Sequence, residues 1–505
     1  MEIYVLIDEK PQGPYTPDMI RRQLATGRFK PTDLAAYSGS ADWQPLSAMI
    51  QSWNQTQAAK GTAKPSARNL IVTIAVAAVM LIMGATVFLI SKSHRTISGG
   101  SAAAVFNSPL PKTLAQLNTW YAEPPEGQNA ATYFAKGFAA FQITDADGNS
   151  RELPVIGSGT LPPPGTPIPD GTKAVMRDFV QRNDAAWAAL QQGVGFEQSR
   201  YPVNFDQGSE TLLPHLAKIK NAVRFADLKA VLCAADNQPD AAANAELVSL
   251  AMAESIKDEP VIISQLVRVA CHAIEGDALQ RMVNSVALSR DDLQRLSAAF
   301  AKAEGSQTSG EGFTRALVGE AVLHDALFNL TPDKLRSEIK SWQNGLSDAA
   351  ATKMMENLKA QRSFIDETFS HALALRRESF PDRLKLDDYF PARASEARKK
   401  GYLLCHMLLS GLGQVTHREA GGLAQLRIIQ TAIALEQYRR ENSGSYPDSL
   451  SALIPKFLSE MPKDPTKGRD VNYRKVGAGY ELRCVVAKTP RVITFTVSNP
   501  PRPAL

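Results

Sequence analysis

The residues best suited to chemistry are few and lie far apart in the chain. His272 and Glu275 stand one helical turn apart, so a helix would bring an imidazole and a carboxylate together. His324 has Asp325 beside it and Glu320 one turn before it, a second set of the same kind. With a partner helix either set could hold a metal, as carboxylate-bridged bundles do, and gathered in one cleft they would suit a hydrolase. His406 and His417 flank a glycine-rich break, with nothing nearby to complete a triad. Asp145, Asp147 and Asn149 occupy the first ligand positions of a calcium loop, but Ser150 stands where its turn needs Gly and Ile156 replaces its bidentate Glu. A plain Asp-Gly turn is the simpler reading. The chain contains no H-E-x-x-H, G-x-S-x-G or P-loop, and Gly411-Leu412-Gly413 lacks the third glycine of a dinucleotide fingerprint. No catalytic residue, metal or cofactor is named by the sequence.

The cysteines are Cys233, Cys271, Cys405 and Cys484, with no C-x-x-C spacing, which argues against zinc and thioredoxin-like chemistry. Cys233 and Cys271 both sit in apolar helical sequence and are the candidate disulfide pair; buried free thiols are the alternative. Net charge is +5, from 56 basic and 51 acidic residues without a long basic block, so nucleic acid is not an expected partner.

The elements that would position these groups are divided by Leu70–Ile90, an uncharged apolar run of 21 residues. A helix of that length matches the hydrocarbon core of a bilayer. The expectation is a multidomain single-pass membrane protein that contacts lipid through residues 70–90, with linkers at 54–69 and 91–112. Lys60, Lys64 and Arg68 before the run, against Lys92 and Arg95 after it, favour a cytoplasmic N-terminus and a C-terminal region beyond the membrane.

Residues 1–53 open with a β-rich EIYVLID stretch, followed by turn chemistry at Lys10-Pro11-Gln12-Gly13-Pro14. Thr16 and Pro17 can start a helix that ends at Gly27, and a strand near Leu34–Tyr37 and a helix from Leu46 complete a small α+β unit. Tyr4, the Gly13-Pro14-Tyr15 triplet, Leu24, Gly27 and Asp42-Trp43-Gln44-Pro45-Leu46 resemble the bacterial variety of the GYF domain. The family's first aromatic is often Trp; here it is Tyr4. The resemblance implies an adaptor that grips proline-rich peptides, with Tyr4, Gly13, Pro14, Tyr15 and Trp43 as the peptide-binding residues. Such a ligand is extended before it binds and loses little entropy on docking against flat rings. In so small a unit the same aromatics also serve the core.

Residues 113–415 read as a mainly helical domain of antiparallel helices punctuated by Pro239, Pro260 and Gly276. The proline-rich Leu161–Gly171 segment reads as a spacer or surface wrap. With Asn129-Ala130-Ala131 and Leu213-Pro214-His215-Leu216, this region resembles uncharacterised envelope proteins of bacteria such as planctomycetes and verrucomicrobia, which implies no activity. Residues 416–505 carry a helix over Gly422–Arg440, then Asn442-Ser443-Gly444-Ser445-Tyr446-Pro447, a short helix near Leu450, Pro462-Lys463-Asp464-Pro465 and strands near 471–475, 480–486 and 492–497. That order resembles the globular α+β part of type II secretion pseudopilins. The functional expectation is an adaptor for a protein or proline-rich peptide joined to a helical interaction domain. A membrane-anchored hydrolase and an envelope or secretion component are the alternatives.

Overall fold

A computed structural model describes residues 3–7, 10–15, 20, 29, 33–37, 44–46, 109–143, 153–342, 346–486, 492–498 and 500–501. The chain divides into two compact units, Met1–Ala77 and Ala78–Leu505.

In the first unit, β1 (Ile3–Ile7), β2 (Lys10–Tyr15), β3 (Leu34–Tyr37) and β4 (Gln44–Pro45) form a sheet in the order β2-β1-β3-β4. All of its pairings are antiparallel. Ile3 pairs with Tyr15 and Val5 with Gln12, so β2 carries one extra residue at Gly13-Pro14, a β-bulge. Proline has no N–H to give a ladder, and it is tolerated here because β2 is an edge strand and the bulge interrupts pairing. Val5, Ile20, Phe29, Ala35 and Leu46 are buried and form the core.

The second unit is mostly helical. Its helices are α1 (Leu114–Trp120), α2 (Ala130–Ala140), α3 (Asp170–Arg182), α4 (Asp184–Gln192), α5 (Pro214–Ala235), α6 (Pro239–Glu254), α7 (Ile262–Ser285) and α8 (Arg290–Ser309). They continue with α9 (Glu311–Leu327), α10 (Pro332–Trp342), α11 (Asp348–Met354), α12 (Leu358–Leu375), α13 (Leu386–Lys399), α14 (Leu403–Ser410) and α15 (Val415–Glu441). Local chemistry sets several starts. Pro214 and Pro239 occupy first positions, where a missing N–H costs nothing. Ser289 and Asp292 form a reciprocal capping box on α8. Gly310, in the left-handed region at φ 70°, turns α8 into α9. Gly319 lets α9 rest on the backbone of Pro260, because a Cβ there would stand 1.8 Å from its carbonyl oxygen.

Helix α15 lies against α7 and α8. It also touches a three-stranded antiparallel sheet of β5 (Asn472–Val476), β6 (Gly479–Val485) and β7 (Val492–Val497), in the order β5-β6-β7. The free edge of β7 is closed by amide side chains of α7. Thr496 N–H donates to Gln280 Oε1 at 2.8 Å, and Asn284 donates to Thr496 O at 2.9 Å and accepts from Ser498 N–H at 3.0 Å. One hydrophobic cluster runs from Leu117 through α5–α8 and α15 to Val497, so residues 113–415 and 416–505 share a core.

Among the described residues, no helix is long and apolar enough to cross a membrane. The run at 70–90 lies outside the described residues, as do 54–69 and most of 91–112. The finding corrects the expected fold class and the expected single-pass placement with a cytoplasmic N-terminus, and it lends no support to lipid as a partner. The expectation rested on the length and apolarity of one segment. The described helices of sufficient length carry charges, as α7 does with buried Arg268 and Glu275 and with Asp277 and Arg281 nearer the surface.

Candidate functional site

The first candidate is the sheet of the N-terminal unit. Tyr15 ends β2, directly beyond the Gly13-Pro14 bulge and opposite Ile3. Its half-buried ring meets Phe29 edge-on, with centroids 5.2 Å apart at 72°. Phe29 therefore holds one face of the ring while part of it stays accessible. Tyr4 lies on β1 opposite Ala36, and Trp43 lies outside the described residues.

The second candidate is the set of histidines and acids in the helical unit, and the structure does not gather them. His272 is fully buried between two carboxylates, with Nδ1 2.9 Å from Glu275 and Nε2 3.1 Å from Glu254. Burial opposes its protonation, but the charges and hydrogen bonds of Glu275 and Glu254 outweigh it and hold the imidazole at about 9. Burial likewise disfavours ionised Glu254, yet Arg268 and His272 bring that carboxyl down to about 2. Arg268 makes two hydrogen bonds of 2.7 Å to Glu254. The arrangement is a buried ion-pair chain within α6 and α7.

Glu320 accepts from the first N–H of α7, Ile262, at 3.0 Å, with His324 3.8 Å away. Burial pushes Glu320 up to about 7 and pulls His324 down to about 4, so between those values the two hold a single proton. Asp325 is instead gripped by Arg362 through bonds of 2.7 and 2.9 Å. His406 Nδ1 lies 2.9 Å from Ala394 O, and His417 pairs with Asp387, which also accepts the Thr416 and His417 N–H groups at the start of α15. The hydrolase reading needed His272, Glu275, His324 and Asp325 in one cleft, and it loses that support. Among the described residues, no group of three His, Cys, Asp or Glu side chains could hold a metal ion. Asp145, Asp147 and Asn149 lie outside the described residues. Cys233 and Cys271, the candidate disulfide pair, are buried free thiols.

Two polar groupings escaped the sequence reading. His215 Nε2 lies 2.9 and 3.0 Å from the Glu259 oxygens, Ser264 donates to the same carboxylate at 2.5 Å, and Tyr201 stacks on the imidazole at 4.5 Å. Arg376 and Arg383 close on Glu419 beside Gly310. Neither has a local signature, because the carboxylate in each lies 36 or more residues in chain order from the His or Arg that it pairs with. The proline-rich Leu161–Gly171 segment lies along the helical unit, with Leu161 and Ile168 packed on the core and Arg281 donating to Pro162 O at 2.7 Å. A cleft of 220 Å³ opens between α8, α15 and Leu458–Gly468, and one of 270 Å³ near Arg290 and Phe457; neither is lined by the histidine–acid sets.

No curated protein and no solved structure matches the chain. Residues 4–51 match the family model described as GYF domain 2, and the N-terminal unit is a GYF-like domain.

Proposed function

We propose that the chain is a peptide-binding adaptor. Its N-terminal GYF-like domain docks an extended, proline-containing segment of a partner protein, and its helical unit is the body that this docking recruits. The observation that carries the reading is the GYF domain match over residues 4–51, together with a half-buried Tyr15 ring set on an edge strand. Tyr4, Gly13, Pro14, Tyr15 and Trp43 are the proposed contact residues. A proline-rich segment brings rigid, flat-sided pyrrolidine rings that match aromatic faces and lose little entropy on ordering. The bulge at Gly13-Pro14 supports the same reading, since bulges on edge strands re-aim the side chain that follows them.

The test is calorimetric titration of the full-length chain with a proline-rich peptide and with its proline-to-alanine counterpart. Saturable binding of the first and at least about tenfold weaker binding of the second is the expected result. Equal or absent binding of both would remove the reading.

A further inference from the structure

The interior bounded by α5, α6 and α7 holds more acid than base. Asp227 comes from α5, Glu246 and Glu254 from α6, and Glu275 from α7; the cations among them are Arg268 and His272. The two cations are taken up by two of the acids, Glu254 and Glu275. Asp227 and Glu246 are left over. They are 1% and 0% exposed, and none of their four carboxyl oxygens has a hydrogen-bond partner. Glu275 Oε1 is unpartnered too, and the buried hydroxyl of Ser249 stands beside Asp227, where it favours the ionised carboxyl less than burial opposes it. Lys220 and Arg224 of α5 and Asp277 of α7 act on this interior from its edge, and Ser306 of α8 accepts a hydrogen bond from Arg268. A bare carboxylate enclosed this way costs several kcal/mol, and taking up a proton removes that cost.

We propose that Asp227 and Glu246 each retain a proton at neutral pH, and that these two protons latch α5, α6 and α7 together until alkaline solution withdraws them. Burial pushes both carboxyls well above the usual range, and the charge of Glu275 adds to it. The sign follows from linkage. The folded chain keeps protons that the unfolded chain has lost, so stability falls as pH rises from the ordinary carboxylate range towards the raised values. His272 contributes in the same direction, since its stabilisation is complete below 6.5 and is lost as pH rises through about 9.

Denaturant unfolding of the full-length chain between about pH 6 and about pH 9 reads the latch directly. Each retained proton raises the unfolding constant about tenfold per pH unit, and two raise it about a hundredfold. The double variant Asp227→Asn, Glu246→Gln should lose that part of the slope and keep the part owed to His272. Infrared spectroscopy of the unaltered chain supplies a readout that survives a variant that fails to fold: the carbonyl band of protonated carboxyl groups should be present at neutral pH and vanish at alkaline pH. Absence of that band at neutral pH, or an unchanged slope in the double variant, overturns the proposal. So does restoration of alkaline stability by added magnesium or calcium, which would make the set a cation site.

Discussion

Tyr15 is the residue on which the peptide-docking proposal turns. Replacing it with Ala removes the ring that Phe29 steadies. We expect proline-rich peptide to bind the Tyr15→Ala variant at least about tenfold more weakly, with the far-ultraviolet circular dichroism of the full chain unchanged. Unaltered affinity would move the docking surface elsewhere. In the helical unit, the pair to break is Arg376 with Glu419, which are 5% and 0% exposed. Arg376→Met leaves a buried carboxylate with Arg383 alone, and such losses cost about 3–5 kcal/mol. A midpoint in urea shifted by less than a third of that would show that Arg383 compensates. The polar interior was the least legible part of the sequence. The sequence marks Glu275 only as a partner for His272 and does not single out Asp227 or Glu246, since nothing local distinguishes an acid that faces water from one that faces another helix. The GYF signature was legible because a unit of about fifty residues depends on a few large or turn-forming residues at fixed places.

Among the elements, α15 shows where periodicity misleads. Leu423, Leu426, Ile429 and Ile433 mark one apolar side, yet Gln430 and Glu436 fall along that side and are buried, as are Gln425 and Thr431. They are satisfied within the fold: Gln430 donates to Ser297 O at 2.8 Å, and Tyr446 donates to Glu436 at 2.6 Å. A helix held on several faces needs such partners, and they come both from just beyond its end, as Tyr446 does, and from elements far away in the chain, as Ser297 does. The last two strands, by contrast, begin and end within a residue or two of their alternating pattern, because one face packs inward and the other is largely exposed, whereas β5 is exposed along almost its whole length. The amide side chains that close the edge of β7 could not be read, since Gln280 and Asn284 belong to a helix some two hundred residues earlier. Asn284→Ala should expose that edge and cost about 1–3 kcal/mol. Hydrogen exchange at Ser498, whose N–H donates to Asn284, should rise with it, and slow exchange there would show that this amide is dispensable.

For the whole molecule, the largest correction concerns the membrane. Length and apolarity of one segment led to a single-pass placement, whereas no described helix is long and apolar enough to cross a bilayer, and α7 holds Arg268 and His272 in internal pairs. The continuous core from Leu117 to Val497 also bears on how the helical unit folds. Deleting 416–505 would strip α15 from between α7, α8 and the sheet, so the truncated chain should lose cooperative unfolding altogether. A sharp transition in that truncation would make residues 113–415 an independent domain. The GYF-like unit has its own small core, from Val5 to Leu46, and its proposed task depends on that unit alone. Hydrogen exchange of the full-length chain, with and without saturating proline-rich peptide, tests this most directly. The account predicts protection confined to the N-terminal unit, around Tyr15 and Trp43, with residues 109–501 unchanged. Protection found only in the helical unit, or nowhere, would contradict it.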